Sequence, residues 1–279
     1  MEIFKQADKL IDLALAEDVG PGDITTDNLV DAKAPGHGEI IAKQDLVIAG
    51  LDIAKRVFQR LDEGIVFDAS FQDGQFVTGG SRLVTIAGRL AALLTAERTA
   101  LNFLQRLSGI ARQVREYVSQ LKGAPAKLLD TRKTTPGWRV LEKYAVRIGG
   151  GTNHRMGLYD AVLIKDNHIA AAGGIAEAVV RIKDKVPAAV TIEVETTTLE
   201  EVRQALDAGA HIIMLDNMDL NQIKAAVDLV SGRAQLEVSG GVTRDQLTAL
   251  AATGIDLISS GALTHSACAV DLSMKIAAE

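Results

Sequence analysis

From Lys127 onward the chain alternates short apolar runs with amphipathic stretches. The apolar runs are Lys127–Asp130, Ala161–Ile164, Val190–Val194, His211–Leu215, Gln235–Val238 and Asp256–Ser259. They are rich in β-branched residues, as strands buried on both faces should be. The stretches between them carry helix-start signals. Thr198 with Glu201, Asp219 with Gln222 and Thr243 with Gln246 have capping-box spacing, in which the two side chains satisfy each other's backbone N–H groups. Gly209 and Gly254 stand where a helix should end and the next strand begin. Repeated strand–helix units predict a parallel sheet with right-handed crossovers, and six in series predict a barrel.

The first half reads differently. Phe4–Ala16 predicts a helix with Ile3, Leu10, Ile11, Leu13 and Leu15 as its apolar candidates, followed by a turn at Gly20–Asp23. Short strands are expected at Glu39–Lys43, Leu46–Ala49, Val66–Phe71 and Arg82–Ala87, and a helix at Leu51–Leu61. A stripe of Leu90, Leu94, Leu101 and Leu104 predicts a long helix from Leu90 to about Lys122. Two glycine runs, Gly149–Gly151 and Gly173–Gly174, suggest special backbone geometry. The expected fold class is α/β. Residues 1–122 form an α+β domain that includes the long linking helix, 123–270 a parallel α/β barrel with the active site, and 271–279 a C-terminal helix packing back on the N-terminal domain.

Composition narrows the function classes. With 279 residues and 47% hydrophobic content, the chain can build a barrel and a smaller domain. A charged fraction of 24% is ordinary for a globular protein and argues against disorder. The net charge of −6 argues against a nucleic-acid surface. The single cysteine, Cys268, excludes an internal disulfide; between Ala267 and Ala269 it reads as a buried small apolar side chain rather than a reactive thiol. No apolar run suits a membrane span, and the N-terminus is too charged for a secretory signal. A cytoplasmic protein with neither nucleic-acid nor membrane partners is expected.

Within this acidic chain the cations are clustered. Asp130–Pro136 contains Arg132 and Lys133, Asn153–Arg155 contains His154 and Arg155, and Ile164–His168 contains Lys165 and His168. Two of these clusters directly follow predicted strands, and catalytic groups of parallel barrels gather at C-terminal strand ends. One such residue alone would most simply be a surface ion pair. Five cations together repel one another unless an anion joins them, so Arg132, Lys133, His154, Arg155 and Lys165 point to a small, highly anionic substrate.

Other strand ends carry complementary chemistry. Glu195 and Asp216 end neighbouring strands, where carboxylates suit Mg²⁺ shared with substrate phosphates; the simpler alternative is pairing with a nearby Lys or Arg. Ser239-Gly240-Gly241 and Ser259-Ser260-Gly261 end the last two strands. Their turns can cradle a phosphate with backbone N–H groups, although tight turns also use glycine. His168 reads equally as a loop-orienting or a substrate-touching residue, and His265 as a phosphate-site or a turn-capping residue.

These motifs, in this order, resemble the quinolinate phosphoribosyltransferase family. The resemblance begins at Ala16–Thr26, passes through Ala96–Asn102 and Leu107–Gly109, and continues to Gly261–Ser266. Short pieces such as S-G-G are weak alone. T-R-K-T-T-P-G at 131–137, N-H-R at 153–155 and I-K-D-N-H at 164–168 are highly specific together. Trp138 departs from the pattern, which has an aliphatic residue there.

The resemblance implies transfer of the phosphoribosyl group of phosphoribosyl pyrophosphate to quinolinate, giving nicotinate mononucleotide, pyrophosphate and carbon dioxide in NAD biosynthesis. It implies Lys133, Lys165, Glu195 and Asp216 as catalytic residues. Quinolinate would be bound by Arg98, Arg132, His154, Arg155 and Lys165. Phosphoribosyl pyrophosphate would be bound by Lys133, Glu195 and Asp216 with Ser239, Gly240, Gly241, Ser260 and Gly261. Mg²⁺ would be the cofactor, held by Glu195 and Asp216 directly or through substrate. The implied fold is an N-terminal α+β domain and an incomplete or open α/β barrel, in a homodimer whose barrel mouths are each covered by the partner's N-terminal domain. Without the resemblance, Arg98 beside Glu97 looks like any exposed helix arginine.

Rival readings differ in class. A paralogous group tied to molybdate uptake shares T-R-K-T and H-R but differs around Ile164–His168. A Schiff-base lyase would use Lys165 as its amine. A non-catalytic anion sensor leaves the acid pair and the glycine turns without purpose.

Overall fold

The computed structural model describes residues 2–121 and 123–278, and the side chains from Phe4 onward. The strands of the first half are β1 (Pro35–Ala42), β2 (Leu46–Val47), β3 (Val66–Ala69), β4 (Phe76–Val77) and β5 (Arg82–Arg89). Those that follow are β6 (Lys127–Leu129), β7 (Val162–Ile164), β8 (Ile192–Thr196), β9 (Ile212–Asp216), β10 (Gln235–Ser239), β11 (Leu257–Ser259) and β12 (Leu272–Ala278). The chain divides into two compact units: Met1–Arg115 with Thr135–Gly150 and Ser266–Glu279, and Glu116–Thr134 with Gly151–His265.

The first unit holds a four-stranded sheet in the order β12-β1-β5-β3 and a small β2-β4 pair. All of its strand pairings are antiparallel. The first helix runs Glu2–Val19 and buries Ile11 and Leu15 but leaves Leu13 68% exposed, so that expected core position faces outward. The expectation for Ile3 lies outside the described side chains. Leu51–Leu61 is helical with the expected bounds. The long helix runs Leu90–Val118 and buries Leu93, Leu101 and Leu104, whereas Leu94 is 38% exposed. Its expected end at Lys122 lies outside the described residues.

The C-terminal segment differs from expectation. Leu272–Ala278 is a strand, β12, paired in register with β1. Ala, Met and Lys favour a helix locally. The edge of β1 offers a row of unpaired N–H and C=O groups, and satisfying it overrides that preference. Cys268, just before this strand, is exposed rather than buried.

The linear division also changes. Helix Arg139–Gly149 belongs to the first unit although its sequence lies inside the expected barrel. Its fully buried Glu142 accepts from Arg106 Nη2 at 2.7 Å and from Thr135 Oγ1 at 2.8 Å. Tyr144 Oη donates to Asp73 at 2.6 Å, and Arg115 Nε donates to Gly149 O at 3.0 Å. Gly149 has no room for a Cβ, which would fall 2.6 Å from Ala111 O. Trp138 stacks on Phe103 with ring centroids 4.7 Å apart, a packing role for the residue that departs from the family pattern.

The second unit is a six-stranded parallel sheet in the order β6-β11-β10-β9-β8-β7. The first two strands of this unit in sequence, β6 and β7, lie at opposite edges, while the last, β11, pairs with β6. Closure would require β6 to pair with β7; instead Leu129 forms a single parallel bridge to Thr152. The result is an open barrel. The three predicted capping boxes at Thr198, Asp219 and Thr243 all form, the last on a 3₁₀ turn. Ile192, Val194, Ile213, Leu215, Leu236, Val238 and Ile258 are buried, filling the sheet as the apolar runs predict. No helix among the described residues is long and apolar enough to cross a membrane.

Candidate active site

Strand periodicity sets the site. Side chains two apart on a strand share a face, so Glu193 and Glu195 of β8 point the same way, as do Met214 and Asp216 of β9 and Glu237 and Ser239 of β10. Glu195, Asp216 and Ser239 sit at the strand ends and are half-buried; Glu193, Met214 and Glu237 lie one layer deeper and are buried. These layers form the wall and floor of a cavity of about 490 Å³.

The cavity gathers the five cations marked in the sequence. Arg132, Lys133, His154, Arg155 and Lys165 all line it. Asp130, fully buried at the end of β6, ties two of the clusters together. Its carboxylate accepts from Asn153 Nδ2 at 2.6 Å and from the His154 N–H at 2.8 Å. The buried Thr264 hydroxyl donates to Lys133 O at 2.8 Å and fixes the other side of that loop. Arg155 is pulled below its ordinary value by burial and then by the charge of Arg132, the repulsion expected of cations without their anion.

The acids end the neighbouring strands β8 and β9. Glu195 accepts from Lys165 Nζ at 2.5 Å, and Asp216 accepts from Asn217 Nδ2 at 2.8 Å. Ser239, Gly240 and Gly241 form the adjoining turn. The N–H groups of Gly240 and Gly241 have no acceptor among the described residues. Free backbone N–H groups in a turn that lines the cavity can hold a phosphate.

The other proposed phosphate turn is less available. Ser260 is buried, its hydroxyl donates to Val242 O at 2.9 Å and its N–H to Leu129 O at 3.1 Å. Ser259, not Ser260 or Gly261, lines the cavity. His265 packs over Gly261, outside the lining. His168 Nδ1 accepts from the Lys165 N–H at 3.0 Å, closing a capping box at the start of helix Asp166–Ala172. Of its two readings the orienting one has a bond behind it. Arg98 lies in the first unit on helix Leu90–Val118, 59% exposed at its side chain and 3.9 Å from Glu97.

Two acids lie in the deeper layer, and one of them, Glu237, went unmarked in the sequence. Glu237 stands in the middle of an apolar run and is fully buried, and Glu193 is 3% exposed. Both face His154: Nε2 lies 3.0 Å from Glu193 Oε2 and 3.5 Å from Glu237 Oε2. A carboxylate in a strand otherwise built for burial was the available signal.

Two influences compete for the imidazole. Burial draws its pKa down, but the bond to Glu193, the close approach of Glu237 and the charges of both outweigh it and push it up to about 10. At Nδ1, however, the ring accepts the Arg155 N–H at 2.8 Å. A second ring proton would set a donor against a donor. Glu193 is itself pushed upward, first by burial and also by the charge of Glu237. The contacts therefore fit a ring with its proton on Nε2.

Two metal sets are conceivable. His154, Glu193 and Glu237 place one ligand atom each within 4.8 Å of one another. Yet Nε2 is already engaged by Glu193, so a metal would have to break that contact. Glu195 and Asp216 are hard oxygen donors on adjacent strand ends and fit Mg²⁺ shared with a diphosphate, which asks few ligands of the protein.

Comparison with known proteins agrees with this arrangement. Residues 23–108 match the family described as quinolinate phosphoribosyl transferase, N-terminal domain, and residues 110–275 match its C-terminal domain. A probable nicotinate-nucleotide pyrophosphorylase [carboxylating] of Synechocystis sp. is 48% identical over 265 residues, covering 94% of this chain and 90% of that one. The probable nicotinate-nucleotide pyrophosphorylase [carboxylating] of Bacillus subtilis is 44% identical over 271 residues, covering 97% and 93%. The crystal structure of NadC from Streptococcus pyogenes superposes with a TM-score of 0.95 at 43% identity, covering 98% of this chain and 97% of that one. With both domains matched and the cationic pocket in place, the chain belongs to the quinolinate phosphoribosyltransferase family.

Proposed function

We propose that this pocket joins quinolinate to phosphoribosyl pyrophosphate and releases nicotinate mononucleotide, pyrophosphate and carbon dioxide, the family's step in NAD biosynthesis. The observation that carries the reading is one cavity that gathers five cations, two strand-end acids and a glycine turn. Quinolinate is a dianion, and Arg132, Arg155 and Lys165 answer its two carboxylates. The Ser239–Gly241 turn and Lys133 take phosphate groups of the second substrate. Glu195 and Asp216 face its ribose, because carboxylates set against quinolinate would repel it.

The chemistry asks for little covalent help. The ribose–pyrophosphate bond breaks and positive charge grows on the sugar, where Glu195 and Asp216 stabilise it. The quinolinate ring nitrogen forms the new bond and becomes cationic. The neighbouring carboxylate then leaves as carbon dioxide, its electron pair stays on the ring carbon beside that cation, and a proton completes the product. Mg²⁺, when held by Glu195, Asp216 and substrate phosphates, would neutralise the leaving pyrophosphate. Lys165 acts as an ammonium ion paired with Glu195.

We propose a homodimer in the cytoplasm, with Arg98 delivered to the partner's pocket. Its support is the family motif at Glu97–Thr99 and the exposure of Arg98 in its own chain. The function is tested by product analysis with quinolinate, phosphoribosyl pyrophosphate and Mg²⁺. Nicotinate mononucleotide and carbon dioxide should appear in equal amounts, and nicotinate should be a poor substitute because it leaves cations unpaired. Comparable specificity constants for the two acids would overturn the assignment of these cations.

A further inference from the structure

We infer that Glu193 and Glu237 are positioning residues that act through His154 on Arg155, and that His154 commits both ring nitrogens to the protein rather than to the substrate anion. The inference rests on the reading of the cavity as a quinolinate site.

The geometry forms a continuous chain of contacts. Glu193 on β8 and Glu237 on β10 converge on one atom, His154 Nε2, from strands on either side of β9. The 3.0 Å contact to Glu193 Oε2 takes the Nε2 proton, and the 3.5 Å approach of Glu237 adds negative potential on the same edge of the ring. A proton fixed on Nε2 leaves a lone pair on Nδ1. That lone pair receives the Arg155 N–H at 2.8 Å. The other end of the residue is equally held, since the His154 N–H donates to the buried Asp130. His154 is thus pinned at its backbone, at Nδ1 and at Nε2. The backbone it fixes is that of Arg155, whose guanidinium reaches Ala161 O at 3.3 Å while lining the cavity.

The acids themselves are otherwise hard to explain. Glu193 Oε1 and both Glu237 carboxylate oxygens are buried without a hydrogen-bond partner among the described residues. Burying carboxylates that incompletely is costly, and a hydrophobic side chain would pack as well. Orientation of the partner ring is a function that an apolar replacement cannot supply, much as outer carboxylates orient histidines elsewhere.

The test has two arms. The first changes the acids: Glu237→Gln and Glu193→Leu, with the KM of each substrate, kcat and Tm measured. KM for quinolinate should rise by about 10-fold or more, the usual size for losing an orienting partner, while KM for phosphoribosyl pyrophosphate and kcat change by less than about 2-fold. Glu193→Gln, which keeps an acceptor for Nε2, should recover part of the loss. A change in Tm with both KM values intact would make the acids merely structural and overturn the inference. The second arm needs no variant of the acids. Ring ¹⁵N spectra of the native protein, with the signal assigned by His154→Asn among the five histidines, should show Nε2 protonated and Nδ1 bare. Adding quinolinate alone should leave both shifts in place. A large shift of either nitrogen on quinolinate binding would make His154 a direct ligand and overturn the inference. If the native protein instead forms no product, the functional assignment fails, while the ring spectrum still decides the positioning role.

Discussion

Gly240 and Asn217 interlock. A Cβ on Gly240 would collide with Asn217 Oδ1 and come within 2.9 Å of its backbone N, and Gly240 itself sits at φ +96°. Asn217 adopts φ +55°, a conformation uncommon for a side-chain-bearing residue, with its N–H on Ser239 O at 3.0 Å and its amide on Asp216. The glycine thus makes room for the residue that orients an acid of the site. Gly240→Ala should displace Asn217 and with it Asp216. We expect kcat to fall by about 10-fold or more, a loss of the order reported for a misplaced catalytic group. Unchanged kcat with a lowered Tm would show that the pair serves stability alone.

Asp216→Asn keeps the shape of the carboxylate and removes its charge. An amide oxygen can still accept from Asn217 Nδ2. If Asp216 answers the charge that develops on the ribose, kcat should fall by about 100-fold. Quinolinate affinity, measured by calorimetry without the second substrate, should change little. Loss of quinolinate affinity with kcat preserved would assign Asp216 to the other substrate.

The proposed shared site makes a distinct prediction about mixed dimers. Arg98 is exposed in the first unit and Lys165 lines the cavity of the second. Arg98→Ala and Lys165→Ala homodimers should both be nearly inactive. Mixing them should restore part of the activity, because one of the two pockets then has both residues. If subunit exchange is confirmed and activity stays absent, Arg98 serves its own chain.

Asp23 predicts one component of acid sensitivity. It caps helix Ile24–Leu29, accepting from the Thr26 N–H at 3.0 Å and from Thr26 Oγ1 at 2.7 Å. These bonds, the Thr26 N–H first, hold its carboxyl below the ordinary value of 3.8. A folded value below the unfolded one stabilises the protein above the unfolded value, and that contribution is lost as pH falls through the folded one. Asn caps a helix about as well as Asp but does not titrate. Asp23→Asn should therefore lower Tm slightly near neutrality and make it fall less steeply below about pH 4, so that the two proteins converge in acid. An identical slope in both proteins would show that other carboxylates govern acid unfolding.

Much was legible in local sequence because the forces concerned are local. Thr198, Asp219 and Thr243 announce helix starts, since a capping box needs only residues three apart. The six parallel strands show as apolar runs because both faces are buried. The five lining cations were visible as three clusters, two of them at strand ends, and the order of motifs identified the family.

Other features arise only when distant segments meet. Glu237 looks like one polar letter in an apolar run; it becomes a positioning candidate because β10 lies two strands from β8 and both acids reach His154. Leu272–Ala278 has helix-forming letters and becomes a strand because β1 has an edge to satisfy. Ser260 carries the right chemistry for phosphate but turns its hydroxyl to Val242 O. Helix Arg139–Gly149 joins the first unit because Arg106, Asp73 and Arg115 supply its partners. The sequence by itself determined which elements form and which chemistry is present, since propensity, capping and hydrophobic period act over a few residues. Only the tertiary structure decided which acids face which cations, which edge the last strand fills and which hydroxyls remain for a ligand, because pairings across long loops depend on the geometry of the whole sheet.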